Sequence, residues 1–347
     1  MPPEPPAAAL RLAVDTDALQ SNWRALDRLS GRARAGAAVK ADAYGVGAAL
    51  AVPALLDAGC RDFFVAHWSE AAQVRSLAGS AALSVLHGPR NTEEAAYARV
   101  VNAKPVINSV GQARTWLDSG GGPCDLMVDT GMNRLGVALG DLSSPVIAAL
   151  DIDTVHSHLV SAEEDVALNA AQQARWREAC AHLPHRQASL ANSAGIALGA
   201  DYHGDLTRPG IALYGGVPRP EMAGLIRQVV RPQACVLQVR DVAAGDTIGY
   251  NATYTAPMPM RVGTIALGYA DGYLRCWSGK GMMNLGGNHL PVLGRVSMDL
   301  TVIDLTNAPE TREGDWVEAD YVLTEASAST GLSQYELLTL LGRRFSR

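Results

Sequence analysis

Three groups of residues have the types and spacing that chemistry needs. The first is Ala37-Ala38-Val39-Lys40-Ala41-Asp42-Ala43-Tyr44-Gly45-Val46-Gly47, a short apolar run ending in a lysine, then a glycine-punctuated turn. Burial at a strand end lowers the proton affinity of a lysine and makes its amine nucleophilic, as Schiff-base chemistry requires. The same residues also fit a lysine that only snorkels to solvent. The second group is Asn192-Ser193-Ala194-Gly195, a hydroxyl and small residues at a helix start, where backbone N–H groups can meet an anion. The third is Arg208-Pro209-Gly210-Ile211, with Tyr214-Gly215-Gly216 close behind. Alone, Ser193 fits a helix cap and Arg208 a surface ion pair. Together the three groups suit a phosphorylated cofactor anchored at one end and joined to the lysine at the other, and pyridoxal 5′-phosphate (PLP) fits that description. A further pattern, His156-Ser157-His158, puts two imidazoles on one face of a strand, as in a metal-dependent barrel hydrolase. No third and fourth ligand can be assembled at other strand ends, so no metal site is expected and His156 reads as a core residue.

The elements that must position these groups alternate. Ala9 to Val14 reads as a strand, and a helix capped by Asp15 or Thr16 runs to about Arg28. Strand-like runs follow near Ala37–Lys40, Asp62–His67, Ala82–His87, Pro105–Asn108, Asp125–Asp129, Thr154–His158, Arg186–Leu190 and Leu206–Tyr214, with helices such as Val46–Ala58 and Val166–His182 between them. Eight such units make a (β/α)8 TIM-type barrel, an α/β fold whose catalytic residues lie at strand C-terminal ends and whose phosphate loops follow strands seven and eight. Lys40, Ser193 and Arg208 meet those positions. An open doubly wound sheet is the alternative, but the G-x-G-x-x-G turn after its first strand is absent.

From about Leu225 the character changes to short alternating runs rich in Val, Thr, Gly and Pro: Gln233–Val242, Thr247–Ala256, Met260–Ala266, Leu290–Val296 and Asp299–Asp304. The expected division is a tail over residues 1–9, a barrel over 10–224 and a C-terminal β-rich domain over 225–347, with residues 10–14 able to pair with the latter. One amphipathic helix, Gln334–Leu341, is expected near the end. With 48% hydrophobic and 18% charged residues, a 347-residue chain has the composition of a soluble globular protein. A net charge of -6 without a basic cluster argues against nucleic acid as a partner. No apolar run approaches the roughly 20 residues that cross a bilayer, and the N-terminus lacks the pattern of a signal peptide. Five cysteines without paired or metal-like spacing fit a reducing cytoplasm.

Six ordered motifs carry a resemblance. Ala38-Val39-Lys40-Ala41-Asp42-Ala43-Tyr44-Gly45, Val128-Asp129-Thr130-Gly131-Met132-Asn133-Arg134-Leu135-Gly136 and Arg208-Pro209-Gly210-Ile211-Ala212-Leu213-Tyr214-Gly215 lie in the first part. Gly249-Tyr250-Asn251-Ala252-Thr253-Tyr254, Gly268-Tyr269-Ala270-Asp271-Gly272-Tyr273 and Gly294-Arg295-Val296-Ser297-Met298-Asp299 lie in the second. From about Leu12 to Leu341 the chain resembles the bacterial alanine racemases. The resemblance implies a PLP-dependent isomerase, a homodimer with shared active sites, that interconverts L-alanine and D-alanine to supply cell-wall peptidoglycan. It implies two-base proton transfer on an external aldimine, with Lys40 as cofactor lysine and one base, and Tyr250 of a partner subunit as the other. Arg208 would meet the pyridine nitrogen, with His158 between it and the tyrosine. Arg134 would donate to the phenolic oxygen and steer the substrate carboxylate. Tyr44, Ser193, Gly210 and Ile211 would hold the phosphate. The Met298 backbone would meet the substrate, with Tyr269 as gate and Asp299 in support.

Three departures stand out. Many relatives carry a carbamylated lysine bracing the arginine where this chain has Met127, so something else must hold Arg134. Val46 replaces a frequent histidine. No tyrosine follows Tyr335, so the late phosphate-contacting tyrosine of some relatives is missing, with Phe345 nearby in sequence. A broader or serine-preferring racemase of the same fold is the alternative substrate reading, since a small pocket rejects one extra hydroxyl only weakly.

Overall fold

The structure is a computed structural model and describes residues 7–347. The tail expected over residues 1–9 therefore lies mostly outside the described residues, but Ala9 is engaged: its carbonyl accepts a hydrogen bond from Cys235. The chain divides into two compact units. One is Thr16–Arg227; the other is Gln228–Arg347 together with the chain up to Asp15. The strand β1 (Leu10–Val14) thus belongs with the second unit.

The first unit is the barrel that the spacing predicts. Its strands are β2 (Arg34–Ala35), continued after Gly36 as β3 (Ala37–Ala38), β4 (Asp62–Val65), β5 (Ala82–Val85), β6 (Lys104–Ile107), β7 (Pro123–Asp129), β9 (Asp151–His156), β10 (Gln187–Ser189) and β11 (Leu206–Thr207); a short β8 (Val137–Ala138) pairs with β7 outside the ring. All pair in parallel from β3 to β10. β11 pairs with β2, and a parallel bridge from Asn192 to Arg208 joins β10 to β11, so the ring closes. Phe63, Phe64, Val65, Leu126, Val128 and Val155 are buried, as expected of strands covered on both faces. The intended last strand, Leu206–Tyr214, is cut short. Pro209 has no N–H to offer a ladder, and the chain turns into a 3-10 helix, Ile211–Tyr214.

The second unit is an antiparallel barrel. β12 (Val230–Val242) is long and bends at a bulge between Val236 and Gln238. It pairs with β1, with β15 (Met260–Ile265) and with β19 (Trp316–Ala319), while β18 (Thr301–Asp304), β17 (Asn288–Leu293) and β16 (Met282–Leu285) complete the circuit. The run expected over Thr247–Ala256 is instead a small hairpin, β13 (Thr247–Ile248) with β14 (Tyr254–Thr255), around a 3-10 turn at Tyr250–Ala252. β16 and β19 were not legible: Met-Met-Asn-Leu has no β-branched residue and Trp-Val-Glu-Ala has one. The C-terminal region holds two helices, Leu323–Thr330 and Gln334–Thr339, where one was expected. Gly331, at φ +78°, ends the first, and Ser333 with Glu336 forms a capping box for the second.

Ring closure rests on a tight approach. Asp205 N–H donates to Ala188 O at 2.8 Å, and Gly204 beside it has φ +71°. A Cβ there would stand 2.3 Å from the Ala188 oxygen. Left-handed alanine alone costs about 1–2 kcal/mol, and the clash adds to it. Gly204→Ala is expected to lower the melting temperature by roughly 5 °C, measured by calorimetry; an unchanged transition would show that the β10–β11 junction tolerates opening.

Candidate active site

Lys40 is half-buried at the point where β3 ends. Ala38 N–H donates to Pro209 O and Val39 N–H to Phe64 O, so the backbone before it is held from both neighbouring strands. The residues after it do something the sequence did not suggest. Ala41, Asp42, Ala43 and Tyr44 all have φ between 52 and 56°, a left-handed helical turn built from non-glycine residues. Such residues cost about 1–2 kcal/mol each, and the surroundings offset that strain. Glu70 accepts from Ala41 N–H at 2.5 Å, while its second oxygen accepts from Ala66 and His67 N–H. Asp42 accepts from Ala48 N–H at 2.7 Å. The Tyr44 ring stacks on Tyr214 with centroids 4.9 Å apart, and Tyr214 Oη donates to Ala38 O. Sequence reasoning missed Glu70. Its signal was the capping-box spacing from His67.

Cations converge on this turn. Burial lowers the Lys40 amine below the ordinary lysine value; Arg134 and Arg208 add to that, with Glu70 opposing. Arg208 is buried just past β11, and burial pulls it down to about 10, still protonated at neutral pH. Its guanidinium donates to Ser189 Oγ, to Ser157 O at 2.5 Å and to His156 Nδ1 at 3.2 Å. His158 is pushed down to about 3, by burial first and then by Arg208, Arg134 and Lys40. Its backbone oxygen is fixed by Gln172 Nε2. His156, down to about 4 through burial, faces Arg208 with one ring nitrogen and Asp125 with the other, so it is not turned outward as one of a metal pair. Arg134 is exposed and makes no hydrogen bond or ion pair among the described residues. Met127, at the place of the expected lysine, is buried opposite His156 in the strand register.

An anion cradle completes this end of the barrel. Asn192 caps the short helix Ser193–Ala197 by accepting from Gly195 N–H at 2.9 Å. Ser193 Oγ accepts from Gly210 N–H at 2.9 Å and from Ala212 N–H at 3.3 Å. Gly210 has no room for a side chain: a Cβ would lie 2.2 Å from Tyr44 Oη. Burial pushes the Tyr44 phenol up to about 12, so it stays a protonated donor. Two hydroxyls thus meet beside a lysine and a buried arginine, with the Gly210 and Ala212 N–H groups holding one of them, an arrangement that fits a phosphorylated aldehyde cofactor.

The other sequence-predicted residues lie in the second unit. Tyr250 is 66% and Met298 53% exposed. Tyr250 lines an open cavity of about 550 Å³ with Arg240, Arg295, Ser297 and Leu300. Tyr269 N–H donates to Ser297 O and Ala270 N–H to Met298 O, which ties the two motif loops together. Arg344, not singled out in the sequence, clamps them from behind: Nε donates to Asp271 at 2.6 Å and Nη1 to Asp299 at 2.7 Å. Phe345 is buried.

The comparisons with known proteins cover both units. The alanine racemase N-terminal domain profile matches residues 14–218, and the alanine racemase C-terminal domain profile matches residues 229–347. The chain belongs to the alanine racemase family. An alanine racemase of Methylobacterium nodulans is 44% identical to it, over 97% of this chain and 95% of its own. Among solved structures of the family, the alanine racemase from Bartonella henselae with covalently bound pyridoxal phosphate is similar at 36% identity, with a TM-score of 0.90 and 99% of each chain covered. The biosynthetic alanine racemase from Pseudomonas aeruginosa follows at 34% identity and a TM-score of 0.87, over 98% of this chain and 99% of its own.

The two buried histidines give this alanine racemase family member a pH signature. Both are neutral in the fold, whereas an unfolded histidine titrates near roughly 6.5. Their contribution is fully present above that value. It is lost as pH falls through the window down to about 4 and then about 3, because the unfolded chain takes up protons the folded one refuses. Melting temperature is expected to drop steadily between pH 6.5 and 4, and less steeply in His158→Asn. Parallel curves for the two proteins would count against this assignment.

Proposed function

We propose that this chain is a PLP-dependent isomerase that interconverts L-alanine and D-alanine and supplies D-alanine for peptidoglycan. The observation that carries the reading is the lysine amine held below its ordinary value at the barrel mouth, between two arginines and a cradle of hydroxyl and backbone donors. Full-length similarity to alanine racemases supports it. When bound, PLP withdraws electron density from the substrate α-carbon, so that modest bases can remove its proton.

Each residue then has a task. Lys40 holds the cofactor and moves a proton on one face of the α-carbon. Tyr44, Ser193 and the backbone of Gly210 and Ile211 bind the phosphate. Arg208 would face the pyridine nitrogen of the cofactor and, as a guanidinium, would give up its own proton poorly. A donor that keeps its proton would leave the bound cofactor a weaker electron sink and would favour return of the proton to the substrate carbon. His158 stands beside Arg208 as a neutral relay toward Tyr250, and Arg134 steers the substrate carboxylate. Racemisation needs a base on the opposite face. Tyr250 suits that role because it is exposed beside an open cavity, ready to be offered to a second copy of the chain. We therefore infer a homodimer with shared sites. The Met298 backbone meets the substrate, and Tyr269, held in place with Asp299 by the Arg344 clamp, narrows the entrance. The five cysteines are all free, which supports a cytoplasmic setting. No helix among the described residues is long and apolar enough to cross a membrane.

Borohydride reduction of the PLP-loaded protein followed by peptide mass analysis should place the adduct on Lys40; an adduct elsewhere would overturn the assignment. In racemase assays with L-alanine, L-serine and L-lysine, alanine should be fastest by at least about tenfold, about 1.4 kcal/mol in the barrier. Equal rates with serine would favour the broader racemase.

Tyr250→Phe should impair proton removal from one enantiomer while cofactor absorbance is retained. Unchanged turnover in both directions would remove tyrosine from the mechanism.

A further inference from the structure

A chain of polar groups runs through the inside of the barrel behind Arg208, and the reaction as described does not use it. It starts at Lys104, the first residue of β6, whose Nζ lies 3.0 Å from Asp125 Oδ1 and also bonds to Asp153. Asp125 is fully buried, and its partners sit on three other strands: Lys104 on β6, Ser84 on β5 and His156 on β9. Ser84 Oγ donates to Asp125 Oδ2 at 2.6 Å, and His156 Nε2 stands 3.3 Å from the same oxygen, close enough for charge but out of hydrogen-bond alignment. His156, also fully buried, accepts from Arg208 through Nδ1 at 3.2 Å. The polar path therefore climbs from the N-terminal end of the strands to the C-terminal mouth.

Burying a carboxylate costs several kcal/mol before its partners offset it, and apolar side chains fill a barrel core more cheaply. The donor and acceptor pattern suggests what the expense secures. A guanidinium only donates, so His156 Nδ1 must be the bare nitrogen and Nε2 must carry the proton. A carboxylate facing Nε2 enforces that tautomer. An apolar or neutral group there would let the proton move to Nδ1, which would then point a donor at a donor and push Arg208 away.

We propose that Asp125 is a positioning residue: through the tautomer of His156 it fixes the depth and direction of the Arg208 guanidinium, with Lys104 paired to its other oxygen. The proposal rests on the reading that Arg208 meets the pyridine nitrogen. The test uses the whole chain, with Asp125→Asn, the charge-balanced pair Asp125→Asn/Lys104→Met, and Arg208→Lys as control. Two readouts serve: the His156 tautomer from long-range ¹H–¹⁵N correlation spectra, and the PLP dissociation constant from absorbance titration of the apoprotein. Asp125→Asn should deplete the Nε2–H tautomer and weaken PLP binding by about tenfold, with kcat falling and KM for alanine nearly constant. The charge-balanced pair should give the same result, and decides the matter if the single variant does not fold. An unchanged tautomer, or a changed tautomer with unchanged PLP affinity, overturns the proposal. If Arg208→Lys leaves PLP affinity and absorbance untouched, it is the reading of Arg208 that fails, whatever Asp125 does.

Discussion

Like charges crowded at low dielectric govern the barrel mouth. Two unit charges about 6 Å apart at an effective dielectric of about 20 repel by roughly 3 kcal/mol, and here Lys40 is pressed by both Arg134 and Arg208. Arg134 is exposed and free to turn toward solvent, but the other two cations are held. Arg208 is fixed by two serines and a histidine, and the backbone carrying Lys40 by hydrogen bonds to Pro209 and Phe64 on either side. Burial first, and this repulsion with it, depresses the amine and keeps His158 neutral. An anionic ligand entering this field relieves it, so the work of assembling the cations is returned as binding energy.

That constraint bears on the turn after Lys40, where strain runs through consecutive residues; Asn102 and Asn133 in the barrel take a positive φ singly. Four consecutive left-handed residues reverse the chain within one turn, so that Lys40 and the Tyr44 phenol are presented at the same end. Glu70 stabilises the turn and tempers the field on the amine at once, because its oxygens accept from the backbone on both sides of the junction. One carboxylate thus couples a conformational cost to an electrostatic one.

Much of this could be read from residue order. The apolar run ending at Lys40, the small residues after Ser193 and the proline-glycine turn after Arg208 announce themselves, because strand ends and anion loops have strong local chemistry. The barrel follows from regular spacing. What stayed hidden depends on contacts distant in sequence. Nothing about Ala41 predicts a positive φ, because the carboxylate that accepts from its N–H is Glu70, distant in sequence. Asp125 and His156 look like ordinary members of two strands until the register brings Met127 opposite His156 and turns both side chains inward. β16 escaped notice because its residues have weak strand preference; it is held by β17 and β19 on either side. Arg344 sits far from any motif and becomes visible only when Asp271 and Asp299 converge on it.

The placement of β1 has an outcome for how the molecule comes into being. Leu10–Val14 leaves the ribosome before any of the barrel, yet it completes a sheet whose long strand, Val230–Val242, is made after the barrel is finished. It must therefore wait, unpaired, through most of synthesis. Domains that fold as they emerge would close the Thr16–Arg227 unit first, leaving a short free strand hanging from it. The C-terminal sheet is then stitched from segments far apart in sequence, and Ser346 N–H reaches Leu10 O at 3.0 Å. The sheet beneath Tyr250 is by this arrangement completed only after Val230–Val242 has been made.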